Sequence, residues 1–169
     1  MLRHQLKLRP GFSLIELMVA MAMIGVGLIG VASLAAQNVR VQYFNRNSLI
    51  SAQLAQEGLE LARNRRDNDW KAEDRISSTS SLAGLYDQYF IIDYEGKYDS
   101  SYSSIDATPP LQTNNLGFYS YDGNTTTPFR RLLTSDCQDD YCLINCSVAW
   151  QGLGQSGTYQ AESYLYAWH

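Results

Sequence analysis

Histidine is nearly missing from this chain of 169 residues: the only two, His4 and His169, sit at its extremes. A histidine-based catalytic triad or a His-rich metal site therefore has no members in the body of the sequence. There is no phosphate-loop or dinucleotide-type glycine pattern either. Proline is scarce, with none between Pro10 and Pro109. Cysteine is limited to Cys137, Cys142 and Cys146, an odd number that allows at most one bridge within a monomer. Formal charge is wholly absent from Leu17 to Ala36. Acidic residues outnumber basic ones by 17 to 13, so the electrostatic footprint of a nucleic-acid binder is lacking.

What is present begins with a basic leader, Met1 to Pro10, carrying Arg3, Lys7 and Arg9. The uncharged run after it is long enough to span a bilayer as a helix. Glu16 is the only charge between Phe12 and Val39. A carboxylate near hydrocarbon costs on the order of a few kcal/mol, so its place at the entry end calls for a function. An ordinary single-span anchor with a stray acid is one alternative. A secretory signal peptide with Ser33-Leu34-Ala35 as its cleavage site is another, although the apolar run exceeds the usual ~7–15 residues and contains Glu16.

The junction Gly11-Phe12-Ser13-Leu14-Ile15-Glu16 resembles, without a mismatch, the G-F-[ST]-L-I-E signal of type IV pilins and pseudopilins. The resemblance implies cleavage between Gly11 and Phe12 by a prepilin peptidase and N-methylation of Phe12. It implies that Glu16, the fifth mature residue, supports subunit assembly by neutralising a neighbour's new amino terminus. The physics agrees: an α-amine in apolar surroundings needs a counter-charge. An acid in the first helical turns also complements the positive end of the helix dipole. Without the leader, ten basic residues face seventeen acidic ones, a net charge of −7. The implied partners are the peptidase, other pilin or pseudopilin subunits, an inner-membrane assembly platform, and membrane lipid before assembly. No cofactor, metal or nucleic acid is expected. The precursor is expected in the inner membrane as a single-pass protein with its C-terminal part outside the cytoplasm, and later in a cell-surface or periplasmic filament.

Many major pilins carry a helix-kinking proline about twenty residues after the cut; here Ser33 stands there. The run Gly25-Val26-Gly27-Leu28-Ile29-Gly30 resembles that of PilV-like minor pilins instead. From Gln37 to about residue 70 the helix is expected to continue into water. Val39, Tyr43, Ile50, Leu54, Gly58 and Leu61 recur at steps that keep one helical stripe, opposite Asn45, Gln56, Glu60 and Arg63. One helix of roughly 55 residues, ~80 Å at the α-helical rise, would thus lie in the membrane first and against a sheet later. Glu57-Gly58-Leu59-Glu60 and Arg63 to Trp70 are similar to an E-G-x-E-x-x-R-N-x-R-D-x-x-W segment of prepilin-type proteins. Their basic residues are read as closing the helix, with Glu60 pairing Arg63 or Asn64.

Residues 71–87 read as irregular, with strands at 88–94, 117–121, 129–134, 143–151 and 159–168 and a long loop at 100–115. On the fourth of these, Ile144, Cys146, Val148 and Trp150 share one face, expected to pack on the helix stripe. The glycine-rich 152–157 is read as the turn before the last strand. This C-terminal quarter also looks like the end of PilV-like proteins. Cys137 and Cys142 are the disulfide candidates, across a hairpin tip, because Cys142 and Cys146 along one strand would be ~13 Å apart. Cys146 is then a small buried residue. Asp136, Asp139 and Asp140 at that tip suit a solvated turn better than calcium. Tyr86, Tyr89, Tyr94, Tyr98 and Tyr102 suit strand packing better than a ligand patch.

The expectation is an α+β, pilin-like fold: one long N-terminal helix on a small antiparallel sheet. Its parts are a cleaved leader (1–11), a hydrophobic membrane or filament-core helix (12–36), an amphipathic continuation (37–70) and an extracytoplasmic β head (71–169). The expected role is structural and non-enzymatic, most simply a minor subunit of a type IV pilus or related filament. A type II secretion pseudopilin shares the signal, fold and processing. A competence-type DNA-binding pilin would need a local basic patch such as Arg130 and Arg131.

Overall fold

A computed structural model describes residues 11, 13–72, 89–138 and 141–166. Phe12, the leader, 73–88 and the acidic pair Asp139-Asp140 lie outside the described residues, as does Tyr86. The chain forms two compact units, Met1–Gln42 and Tyr43–His169. One helix, α1 (Leu14–Ala72), contributes to both.

In the first unit the described part of α1 is a bare apolar helix. Apart from Gly25, every described residue up to Gln42 is exposed, including Leu14, Ile15, Met18, Ile24, Val26 and Ile29. The stretch is long and apolar enough to cross a membrane, with a mean hydropathy of 2.3 over its best window. Helical hydrogen bonding satisfies its backbone internally, which makes an apolar segment compatible with lipid.

The second unit is a helix-on-sheet head. Its strands are β1 (Tyr89–Ile92), β2 (Tyr98–Asp99), β3 (Gln112–Thr113), β4 (Tyr119–Ser120), β5 (Thr125–Thr126), β6 (Phe129–Cys137), β7 (Tyr141–Gly152) and β8 (Gln155–Tyr166). Five form an antiparallel sheet in the order β2-β1-β6-β7-β8, and β4-β3-β5 form a second, smaller one. Period-two alternation sends Cys142, Ile144, Cys146, Val148 and Trp150 of β7 to one face, where all are buried. This is the α+β architecture of a long N-terminal helix packed on antiparallel sheet.

Three details differ from the sequence expectations. The turn before β8 is not the six-residue glycine stretch. Gly152 pairs with Gln155, leaving only Leu153 and Gly154, both at positive φ (50° and 72°), as in a two-residue primed hairpin turn. Gly157 lies within β8, and a Cβ there would collide with the Trp150 ring across the ladder. Second, the long loop at 100–115 contains β3, and the two-residue β2 and β5 fall where no strand was expected. Third, α1 runs through Ala72, so Arg63, Arg65 and Arg66 lie inside it and do not cap it.

Candidate functional site: the helix entry and its anchorage to the head

The segment at the start of α1 is built simply. Ser13 is the last residue before the helix, and its carbonyl accepts the first helical hydrogen bond, from the Leu17 N–H at 3.2 Å. Glu16 stands three residues on, in the first turn, in the spacing of a capping box. Gly11 and Glu16 are both exposed. The carboxylate thus faces outward among uncovered apolar side chains at the positive end of the dipole, open to a partner charge.

In the head, α1 is held by close approach. Its buried residues are Asn47, Ser51, Leu54, Ala55, Gly58, Ala62 and Arg66. The expected apolar stripe is therefore displaced: Ile50 and Leu61 sit half-buried at its flanks, Val39 lies in the other unit, and small or polar residues occupy the centre. A Cβ on Gly58 would stand 2.8 Å from Cys146 Sγ and 3.1 Å from Arg131 Cδ. Only glycine lets the helix lie this low on β6 and β7.

Arg131, fully buried on β6, is the link that the sequence does not reveal. Its Nη1 donates to the Leu54 carbonyl at 3.0 Å and to Glu57 Oε1 at 3.3 Å, and its Nη2 donates to the Ile92 carbonyl at 2.6 Å. One guanidinium so joins α1, β1 and β6. A buried charge persists only when paired and hydrogen-bonded, and a fork of fixed donors suits three acceptors on two elements. Tyr121 donates its hydroxyl to the Arg131 carbonyl at 3.2 Å. Burial pushes the Tyr121 phenol and the Cys146 thiol each up to about 12, against the opposing pull of Arg131.

The helical E-G-x-E segment thereby acquires a physical meaning. Glu57 pairs with Arg131, Gly58 permits contact, and Glu60 pairs with Arg63 at 2.7 Å. Arg66 is buried, bridges to Asp67 at 2.7 Å and donates to the Tyr166 carbonyl of β8 at 3.2 Å. These residues dock the helix on the sheet; helix closure is not their task. The signal present in the sequence was Glu57-Gly58 next to an otherwise unexplained arginine-rich turn.

Arg130 and Arg131 do not form a basic patch. Arg131 is enclosed, and Arg130 is occupied by the carbonyls of Thr108 and Asp106. Cys137 and Cys142 face one another across the β6–β7 tip, 3.9 Å apart at Cα, and form a disulfide. Cys146 is a buried free thiol. Of the tyrosines singled out, Tyr89 and Tyr94 are exposed, Tyr98 lies under the Arg65 guanidinium at 3.9 Å, and Tyr102 packs on the core.

One long N-terminal helix, apolar enough in its first part to cross a membrane, and its packing on antiparallel sheet give an α+β architecture consistent with a pilin fold. The comparison with known families adds one finding: residues 6–32 match the prokaryotic N-terminal methylation motif. The match spans Gly11, Phe12 and Glu16 and supports a place in the type IV pilin and pseudopilin superfamily, with processing by a prepilin peptidase. It also fits anchoring of the precursor in the inner membrane through the apolar part of α1. No curated protein and no solved structure matches the chain.

Proposed function

We propose that this chain is a minor structural subunit of a type IV pilus or related filament, made as a membrane precursor and cut between Gly11 and Phe12. The observation that carries the reading is the uncovered face of α1 from Leu14 to Leu34, entered by a single exposed acid. In lipid that face is solvated by acyl chains; in a filament, neighbouring helices would replace them through packing, with the Glu16 carboxylate paired to the Phe12 amine of a neighbour. The absence of a kinking proline and the glycine run at 25–30 favour a minor over a major subunit. PilV-like minor pilins are the subclass that this pattern favours. The role is assembly, with the head outside the cytoplasm, and the protein performs no turnover.

The test is Glu16→Val. We expect cleavage and N-methylation at the wild-type level but loss of the protein from sheared or purified filaments. Wild-type incorporation of that variant would contradict the counter-charge reading.

A further inference from the structure

The face of the sheet turned away from α1 carries an aromatic and polar surface. Tyr141, Tyr164 and Tyr166 form a cluster there, with ring centroids 5.6, 5.9 and 6.4 Å apart. Tyr164 and Tyr166 are more than half exposed (53% and 56%). Beside them lies a shallow depression of about 460 Å³, lined by Tyr89, Thr134, Asp136, Leu143, Asn145 and Glu162. Strand register explains the assembly: Tyr89, Thr134, Asn145 and Glu162 form one row across β1, β6, β7 and β8, and Asp136, Leu143 and Tyr164 form the next.

The polar groups are ordered before any ligand arrives. Gln160 Nε2 donates to Ser147 Oγ at 3.3 Å, Ser147 Oγ donates to Asn145 Oδ1 at 3.2 Å, and Asn145 Nδ2 donates to Glu162 Oε1 at 3.0 Å. The chain of bonds fixes the carboxylate and leaves its second oxygen free to accept. The Cys137–Cys142 disulfide clamps the hairpin beside Tyr141, which holds the edge of the ring cluster.

We propose that this face binds a neutral glycan. Tyrosine rings present electron-rich faces that suit the C–H face of a sugar, and an amide, a hydroxyl and carboxylates suit its hydroxyl groups. None of the residues named on this face is lysine or arginine, and Asp136 and Glu162 repel phosphate, sulfate and nucleic acid. A basic peptide is the competing occupant. It fits less well, because the ordered groups beside Glu162, namely Asn145, Ser147 and Gln160, are neutral and suit hydroxyl groups better than ammonium groups. Preorganised side chains with few rotors lower the ordering cost of binding, which a shallow site requires.

The test uses the full processed chain in dodecylphosphocholine micelles, a detergent without a sugar headgroup. β-Linked hexasaccharides of glucose and of N-acetylglucosamine are titrated in by calorimetry, with decalysine as the basic-peptide probe. We expect at least one hexasaccharide to bind, and Tyr164→Ala and Glu162→Gln each to weaken it about tenfold or more. Phe118→Ala, at the separate exposed Tyr94–Phe118 pair, should leave it unchanged. Tyr164 and Glu162 are exposed, so circular dichroism and the urea midpoint should stay at wild-type values in those variants. The proposal is overturned if neither sugar binds up to its solubility limit, or if binding is indifferent to both variants. Decalysine binding that depends on Tyr164, with no sugar binding, also overturns it.

Discussion

Gly58 is where helix propensity and packing make opposite demands, so a single methyl group distinguishes them. In an isolated helix Gly→Ala gains about 0.8–1 kcal/mol. In this head the added Cβ meets Cys146 Sγ at 2.8 Å and Arg131 Cδ at 3.1 Å, and both side chains are fully buried. Overpacking of that kind costs ~1–3 kcal/mol, so Gly58→Ala should destabilise the head by about 1 kcal/mol net. Gly58→Val adds further methyls to the same space and should cost ~3 kcal/mol or more. Removing the sulfur relieves the nearest contact. In a Cys146→Ala background, Gly58→Ala should become neutral or mildly stabilising, an interaction between the two sites of roughly 1–2 kcal/mol. Urea unfolding of the full chain and its three variants in micelles measures all four corners of the cycle. If Gly58→Ala stabilises the wild-type head, or if its penalty is undiminished without the Cys146 sulfur, the close approach of α1 to β7 is not what glycine serves.

Other predictions concern the same head. Tyr121 and Cys146 hold their protons to about 12 when folded but start from ordinary values near 10.0 and 9.0. The unfolded chain therefore loses protons first, and stability is full below about pH 9 and falls above it, by about 1.4 kcal/mol per pH unit for each such group. Cys146→Ala should remove the earliest part of that fall, read as urea midpoints against pH. Arg131→Lys keeps the charge but not the fork; with Leu54, Ile92 and Glu57 sharing fewer donors, it should cost ~2–4 kcal/mol in the same unfolding assay. Thiol titration of the unfolded, unreduced chain should find one free cysteine and, after reduction, three. Opening the short loop between Cys137 and Cys142 should lower stability by about 2 kcal/mol.

What the sequence made legible follows from how the information is written. The class of fold and the long helix were readable because an uncharged run and a period-two pattern are local features. β6, β7 and β8 were readable for the same reason, with Ile144, Cys146, Val148 and Trp150 on the buried face. The docking face of α1 was legible only in part: Leu54 and Gly58 of the apolar stripe are buried, but the contact is completed by Ser51, Ala55 and Ala62, whose smallness, not hydrophobicity, sets the distance. Arg131 was out of reach, since nothing local distinguishes a fully buried arginine from the half-buried one beside it. Its acceptors are carbonyls of Leu54 and Ile92, far away in sequence. The three glycines between 152 and 157 read as one loop. They serve different places: Gly152 beside Tyr43, Gly154 in the turn and Gly157 under Trp150. The two-residue strands β2, β3 and β5 are too short to carry any period. The outward tyrosine cluster depended on register, because Tyr141 meets Tyr164 and Tyr166 only once β7 and β8 are paired.

The central claim is that Gly11 ends a leader and Phe12 begins the working protein. Mass spectrometry of the amino terminus of protein isolated from its native membrane tests it most directly. The account predicts a chain starting at Phe12 and carrying one methyl group on its α-nitrogen. A chain starting near Ala36 or Gln37, or one that keeps residues 1–11, would contradict it.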